Sequence, residues 1–92
     1  MTLDDLRLEI DAVDDQLAAL FARRMELADQ VARAKRESGG PVFQPGREEA
    51  ILARLDRNIE PQWQCALHAL YAAIFSLSRA RQQALLEQEE AR

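Results

Sequence analysis

The sequence predicts an all-α fold of three helices, long, short and long. Three observations carry that expectation. Apolar residues recur at alternating spacings of three and four, no window alternates with period two, and the few glycines and prolines fall where helices should stop or start. Thr2 and Asp5 have the spacing of a capping box, so the first helix is expected over about 2–38. Its stripe of Leu3, Leu6, Ile10, Val13, Leu17, Leu20, Leu27, Val31 and Ala34 meets no breaker before Ser38-Gly39-Gly40-Pro41. Pro45 suits a first turn and opens a second helix of about 45–59, whose short apolar face is Ala50, Ile51, Leu52, Leu55 and Ile59. Glu60-Pro61 ends it and begins a third, about 61–89, with Trp63, Leu67, Leu70, Ile74 and Leu77 on one stripe and Ala84 and Leu85 beyond.

The first helix carries a physical consequence. At 1.5 Å per residue it is about 54 Å long, whereas a compact globule of this chain length is roughly 30 Å across. One subunit cannot cover both ends of a stripe that runs from end to end. A homodimer that packs the long helices against each other is the simplest way to bury it.

Composition narrows the chemistry. The 92 residues, with 12 Lys+Arg and 16 Asp+Glu for a net charge of −4, are expected to form a single domain over 1–92. That leaves no room for a dinucleotide-binding fold. The acidic balance argues against a nucleic-acid partner, whose footprint is a basic stripe. One Cys excludes an internal disulfide, and one Cys with one His makes no zinc site, so no metal and no cofactor are expected. Ser-His or Cys-His catalysis would have to run through His68 alone. The start, MTLDDLRLEI, is too acidic for a signal peptide. Residues 61–78 carry no formal charge, but Gln62, Gln64, His68, Ser76 and Ser78 interrupt them, which favours a buried helix over a membrane span. A cytoplasmic protein without a membrane partner is the expectation.

Position 24 departs from the pattern. The seam of the first helix is apolar on both sides of Arg24, where an unpaired charge is costly. Arg24 is either a register-setting residue, paired with a carboxylate of another helix, or a cation held for an anionic ligand, since guanidinium matches carboxylate bidentately. Lys35, 11 residues on, lies about 20° from the same face and about 16 Å along the axis. Both side chains can reach one small ligand between them. Arg7 lies about 25 Å from Arg24 and cannot join them from the same helix. In an antiparallel dimer the partner's Arg7 can. Arg47-Glu48 opens the second helix, with Arg47 working against the helix dipole, and Ser78 and Gln82 are i,i+4 neighbours beside the third stripe. Taken alone, Ser78 and Gln82 read as an exposed polar face. Arg23, Arg33, Arg36, Arg54, Arg57, Arg79 and Arg81 read as solvated surface. His68 has no partner signal, and Cys65 reads as a small core residue.

The segments LRLEIDAVDDQLAALFARRMELADQVARAK (6–35), GPVFQPGREEAILARL (40–55) and SLSRARQQAL (76–85) resemble the all-helical class of chorismate mutase. They cover most of the chain, in order, with the family's two loop positions. The resemblance implies an intertwined homodimer of three-helix subunits, each site borrowing an Arg from the other subunit. It implies rearrangement of chorismate, a small dicarboxylate, to prephenate in Phe and Tyr biosynthesis. Carried over by position, Arg24 and the partner's Arg7 would hold the two carboxylates with help from Ser78. Lys35 and Gln82 would donate to the ether oxygen, Glu48 would accept from the ring hydroxyl, and Arg47 would support that corner. A family acid that also touches the hydroxyl is matched here by Gln44, a departure from the pattern. Such a rearrangement needs no nucleophile, metal or proton shuttle. Restraint of the reactive conformer and donors aimed at the ether oxygen suffice. With a neutral amide at position 82, activity should persist at neutral pH.

Three rival readings stand beside this one. Isochorismate-pyruvate lyase shares the fold and a similar cationic pocket. A mutase of an amino analogue of chorismate would differ only at the hydroxyl corner. A non-catalytic helical dimerisation module would keep or gain stability on Arg24→Leu, whereas an enzyme would lose most of its rate.

Overall fold

A computed structural model describes residues 1–91, and its three helices are α1 (Leu3–Ser38), α2 (Pro45–Asp56) and α3 (Pro61–Glu90), with no strand among the described residues. Thr2 sits just outside α1 and builds the expected capping box. Its hydroxyl accepts the Asp5 N–H at 3.1 Å, and the Asp5 carboxylate accepts the Thr2 N–H at 2.9 Å. The Thr2 N–H, donated to the Asp5 carboxylate, is the chief cause that holds that carboxyl below its ordinary pKa. At the other end Gly39 takes φ 78°, a left-handed conformation that a residue with a Cβ adopts only under strain, and the Gly40 N–H closes back onto the Lys35 carbonyl at 2.9 Å.

α2 ends at Asp56, three residues before the expected 59, and α3 runs one residue past the expected 89. The early stop has a local cause. The Asn58 side chain donates to the Arg54 carbonyl at 3.3 Å, and its backbone N–H turns onto Leu55 at 3.0 Å. An amide side chain that satisfies a last-turn carbonyl competes with continuation of the helix.

Cross-helix partners define the layout. Arg81 grips both Asp29 carboxylate oxygens at 2.8 and 2.9 Å, and Arg33 and Arg36 both reach Glu89, so the C-terminal half of α1 runs parallel to that of α3. α2 runs back along α3, with Glu48 opposite Arg79 and Asp56 opposite His68. Four of the arginines expected to be solvated surface, Arg33, Arg36, Arg79 and Arg81, therefore have carboxylate partners on another helix. They sit at the rim, where ion pairs fix register more than they stabilise. His68 has a partner after all, its Nε2 lying 2.8 and 2.9 Å from the Asp56 oxygens, while Cys65 is exposed rather than core.

The packed interior is small. Ala28, Ala32, Ile51, Phe75 and Leu85 are its buried apolar residues. Ala28 and Ala32 are one turn apart and lack bulk, which lets α3 lie close against α1. α3 turns Phe75, Ser78, Gln82 and Leu85 inward. The stripe expected to be its core face lies elsewhere, with Trp63, Leu70 and Leu77 exposed. The helix has two apolar faces, and one subunit covers one of them.

The first 23 residues are exposed throughout, and Leu3, Leu8, Ile10, Val13, Leu17 and Leu20 are each more than half exposed. The chain extends 54 × 28 × 15 Å with a radius of gyration of 16.6 Å, against about 12 Å for a compact domain of its length. No helix among the described residues is long and apolar enough to cross a membrane.

Candidate active site

α1 and α2 both lean on α3, and their backbones do not approach each other closely. The gap between them is a cavity of about 270 Å³ floored by α3, near the lower end of the ~300–1,000 Å³ typical of small-molecule sites. Leu27, Ala28 and Val31 of α1, Ile51 of α2 and Phe75 of α3 supply its apolar wall. Its charged lining consists of Arg24, Lys35, Arg47 and Arg79 against a single carboxylate, Glu48. The chain as a whole is acidic, but this cleft is basic.

Arg24 is half-buried, and its guanidinium carbon lies 5.8 Å from the Tyr71 ring centroid and 5.7 Å from that of Phe75. Those rings meet edge to face at 5.5 Å. Among the described residues Arg24 forms no ion pair. Two aromatic faces rather than a carboxylate hold the cation, and its donors stay available on the cavity side.

Lys35 reaches across the mouth of the cleft. Its ammonium donates to the Val42 carbonyl at 3.0 Å and to the Gln82 Oε1 at 3.5 Å, which leaves a third proton uncommitted. Burial pulls its pKa below the ordinary 10.5, and the nearby Glu48 charge opposes that shift. Gln82 and Ser78 are the buried polar side chains of the fold, not the exposed face that their isolated reading suggests. Gln82 donates one amide proton to the Ser78 hydroxyl at 3.1 Å, so its second amide proton and the serine proton are free. Three donors thus converge on one stretch of the cavity wall.

The α2 side differs in character. Gln44 caps α2 through its backbone carbonyl, which accepts the Arg47 and Glu48 N–H groups, while its side chain turns to the Pro41 carbonyl at 3.5 Å. Arg47 lies exposed on the rim. Glu48 accepts an Arg79 proton at 2.5 Å through one oxygen, and the Arg79 guanidinium stacks 4.9 Å from the Phe43 ring.

Seven of the eight expected residues, Arg24, Lys35, Gln44, Arg47, Glu48, Ser78 and Gln82, therefore line one cavity. Arg7 does not. It is exposed on the uncovered half of α1, as its 17-residue distance from Arg24 requires. Arg79 is the cavity residue that sequence reasoning missed. Its i,i+3 spacing from Gln82 was the one sequence hint, too common on a helix to single it out among the arginines read as surface.

The family model of type II chorismate mutase matches residues 6–83. The chain belongs to the type II chorismate mutase family. A chorismate mutase from Helicobacter pylori, crystallised in complex with prephenate, superposes with a TM-score of 0.84 at 36% identity, covering 92% of this chain and 93% of that one. The chain is 50% identical over 50 residues to a T-protein of Haemophilus influenzae (54% of this chain, 13% of that protein). It is 40% identical over 55 residues to a 4-amino-4-deoxychorismate mutase of Streptomyces venezuelae (60% of this chain, 53% of that protein). The match thus spans about an eighth of the T-protein and about half of the Streptomyces venezuelae protein.

Proposed function

We propose that the protein is a chorismate mutase that converts chorismate to prephenate. The observation that carries this reading is the convergence of Lys35, Gln82 and Ser78 donors in a basic, partly apolar cavity. The reaction breaks the ether C–O bond and forms a C–C bond in one step, with no proton transferred to or from the protein. Catalytic power must then come from shape and from charge placement.

Arg24, pressed against Tyr71 and Phe75, supplies a positioned guanidinium for one substrate carboxylate. The second carboxylate needs another cation, and Arg7 of a partner subunit in a homodimer is the residue assigned to it. Clamping both ends holds the chain of reacting atoms in its compact, near-attack shape. As the ether bond lengthens, negative charge grows on its oxygen. The uncommitted protons of Lys35 and Gln82 are aimed to meet that charge and stabilise the transition state more than the ground state. Glu48 keeps one oxygen free to accept a ring hydroxyl, and Arg47 supports the rim. Gln44 can reach the same corner through its amide.

A chorismate-consumption assay with product identification tests the reading, run on the native chain and on Lys35→Ala. Loss of this donor is expected to lower kcat by about 10²–10³-fold, as for removal of an oxyanion donor. Absence of turnover by the native chain would overturn the proposal. Release of salicylate from isochorismate as the faster reaction would move it to the lyase. A second reading, rearrangement of a ring-amino analogue, is supported by the similarity to the Streptomyces venezuelae protein. The Glu48 corner decides between the two.

A further inference from the structure

Glu48 poses a problem for a site that takes a dianion. An unbalanced carboxylate in the cavity wall repels both substrate carboxylates. The structure supplies a counterweight. Arg79 projects from α3 across to α2, donates to Glu48 at 2.5 Å and rests on the Phe43 ring at 4.9 Å, with 34% and 23% of the two side chains exposed. The pair also bounds a second cavity on the outer side, lined by His68, Leu52 and Ala72, so it stands as the partition between the two.

We propose that Arg79 is a specificity-determining positioning residue: its ion pair with Glu48 neutralises the one carboxylate of the cavity, so that the site prefers a chorismate skeleton bearing a neutral ring hydroxyl over the same skeleton bearing a ring ammonium. The inference rests on the function proposed above and deepens it. A hydroxyl needs only an acceptor, and the free Glu48 oxygen provides one while its charge is already balanced. An ammonium needs an unbalanced negative charge, and here it meets a carboxylate committed to a guanidinium. Arg79 itself repels it. Phe43 and Glu48 fix where the guanidinium sits, and the guanidinium engages one Glu48 oxygen.

The test compares kcat/KM for chorismate and for 4-amino-4-deoxychorismate in the native chain, Arg79→Gln, Arg79→Met and Arg79→Lys. The native chain should favour chorismate. Arg79→Gln should shift the ratio toward the amino substrate by about tenfold, the scale of one partly desolvated charge contact. Arg79→Met keeps the apolar packing on Phe43 and removes the charge. It should shift the ratio in the same sense, and it serves as the reading if the Gln variant does not fold. Arg79→Lys retains the charge and should restore most of the native ratio. A merely structural Arg79 would lower both activities together, and an unchanged ratio in folded Arg79→Gln or Arg79→Met overturns the inference. So does a native chain that favours the amino substrate. Turnover of neither substrate by the native chain instead overturns the functional reading and this inference with it.

Discussion

In the proposed mechanism Lys35 acts as a charged hydrogen-bond donor that keeps its proton. Burial favours its neutral form, and the ammonium therefore titrates below the 10.5 of a free lysine. Gln82, a neutral amide, adds no titration near neutrality. The expected kcat/KM profile is level from about pH 6 to about pH 8, with an alkaline fall that begins earlier than an ordinary lysine would give. Stability follows the opposite sign. Below the folded pKa the buried ammonium is a full liability, which fades as pH rises from that value toward 10.5, because the unfolded chain holds its proton longer. Gln82→Glu should turn the level stretch into a loss of rate on raising the pH through neutrality, and a profile unchanged by that substitution would remove Gln82 from the reacting centre. Arg24 was readable in the sequence because a charge interrupts an apolar seam, and Lys35 because it shares that face. Arg79 was not. It sits among look-alike arginines, and only Glu48 and Phe43, brought from another helix and a loop, distinguish it from Arg81.

α1 and α3 meet through alanines, and that choice sets how closely the α1 wall of the cleft sits on its α3 floor. Ala32 is fully buried and Ala28 nearly so. Ala32→Leu must push the helices apart or force a strained rotamer, with an expected cost of about 1–3 kcal/mol, read as a lowered Tm. Because the same displacement carries Lys35 away from Gln82, KM and kcat should both worsen. Helix identity and order were legible from spacing, and so were the capping box at Thr2 and the stop at Ser38-Gly39-Gly40-Pro41. The end of α2 was not, because Asn58 acts through a side-chain bond that periodicity does not register. The inward face of α3 was misread for a different reason. Both Trp63-Leu70-Leu77 and Tyr71-Phe75-Ser78 are helical stripes, and the inward one carries Ser78 bonded to Gln82, which in turn meets Lys35 from α1.

The uncovered half of α1 and the uncovered stripe of α3 make the isolated chain an incomplete object. A homodimer with shared sites predicts a mixing result. Arg7→Ala and Arg24→Ala chains, each inactive alone, should regain about a quarter of native activity when mixed and exchanged equally, since half of the dimers are mixed and each holds one intact site. No recovery after verified exchange would place Arg7 outside the site. Sedimentation should find the native protein above 10.4 kDa at micromolar concentration. A further consequence follows from the exposed leucines between Leu3 and Leu20. In the proposed homodimer, a helix half that has nothing of its own to fold against would gain its stability from the second molecule, so folding would be a bimolecular reaction governed by mass action. The melting temperature should climb with protein concentration, and refolding should accelerate in proportion to the amount of chain present. Dilution should then act on this protein as a denaturant.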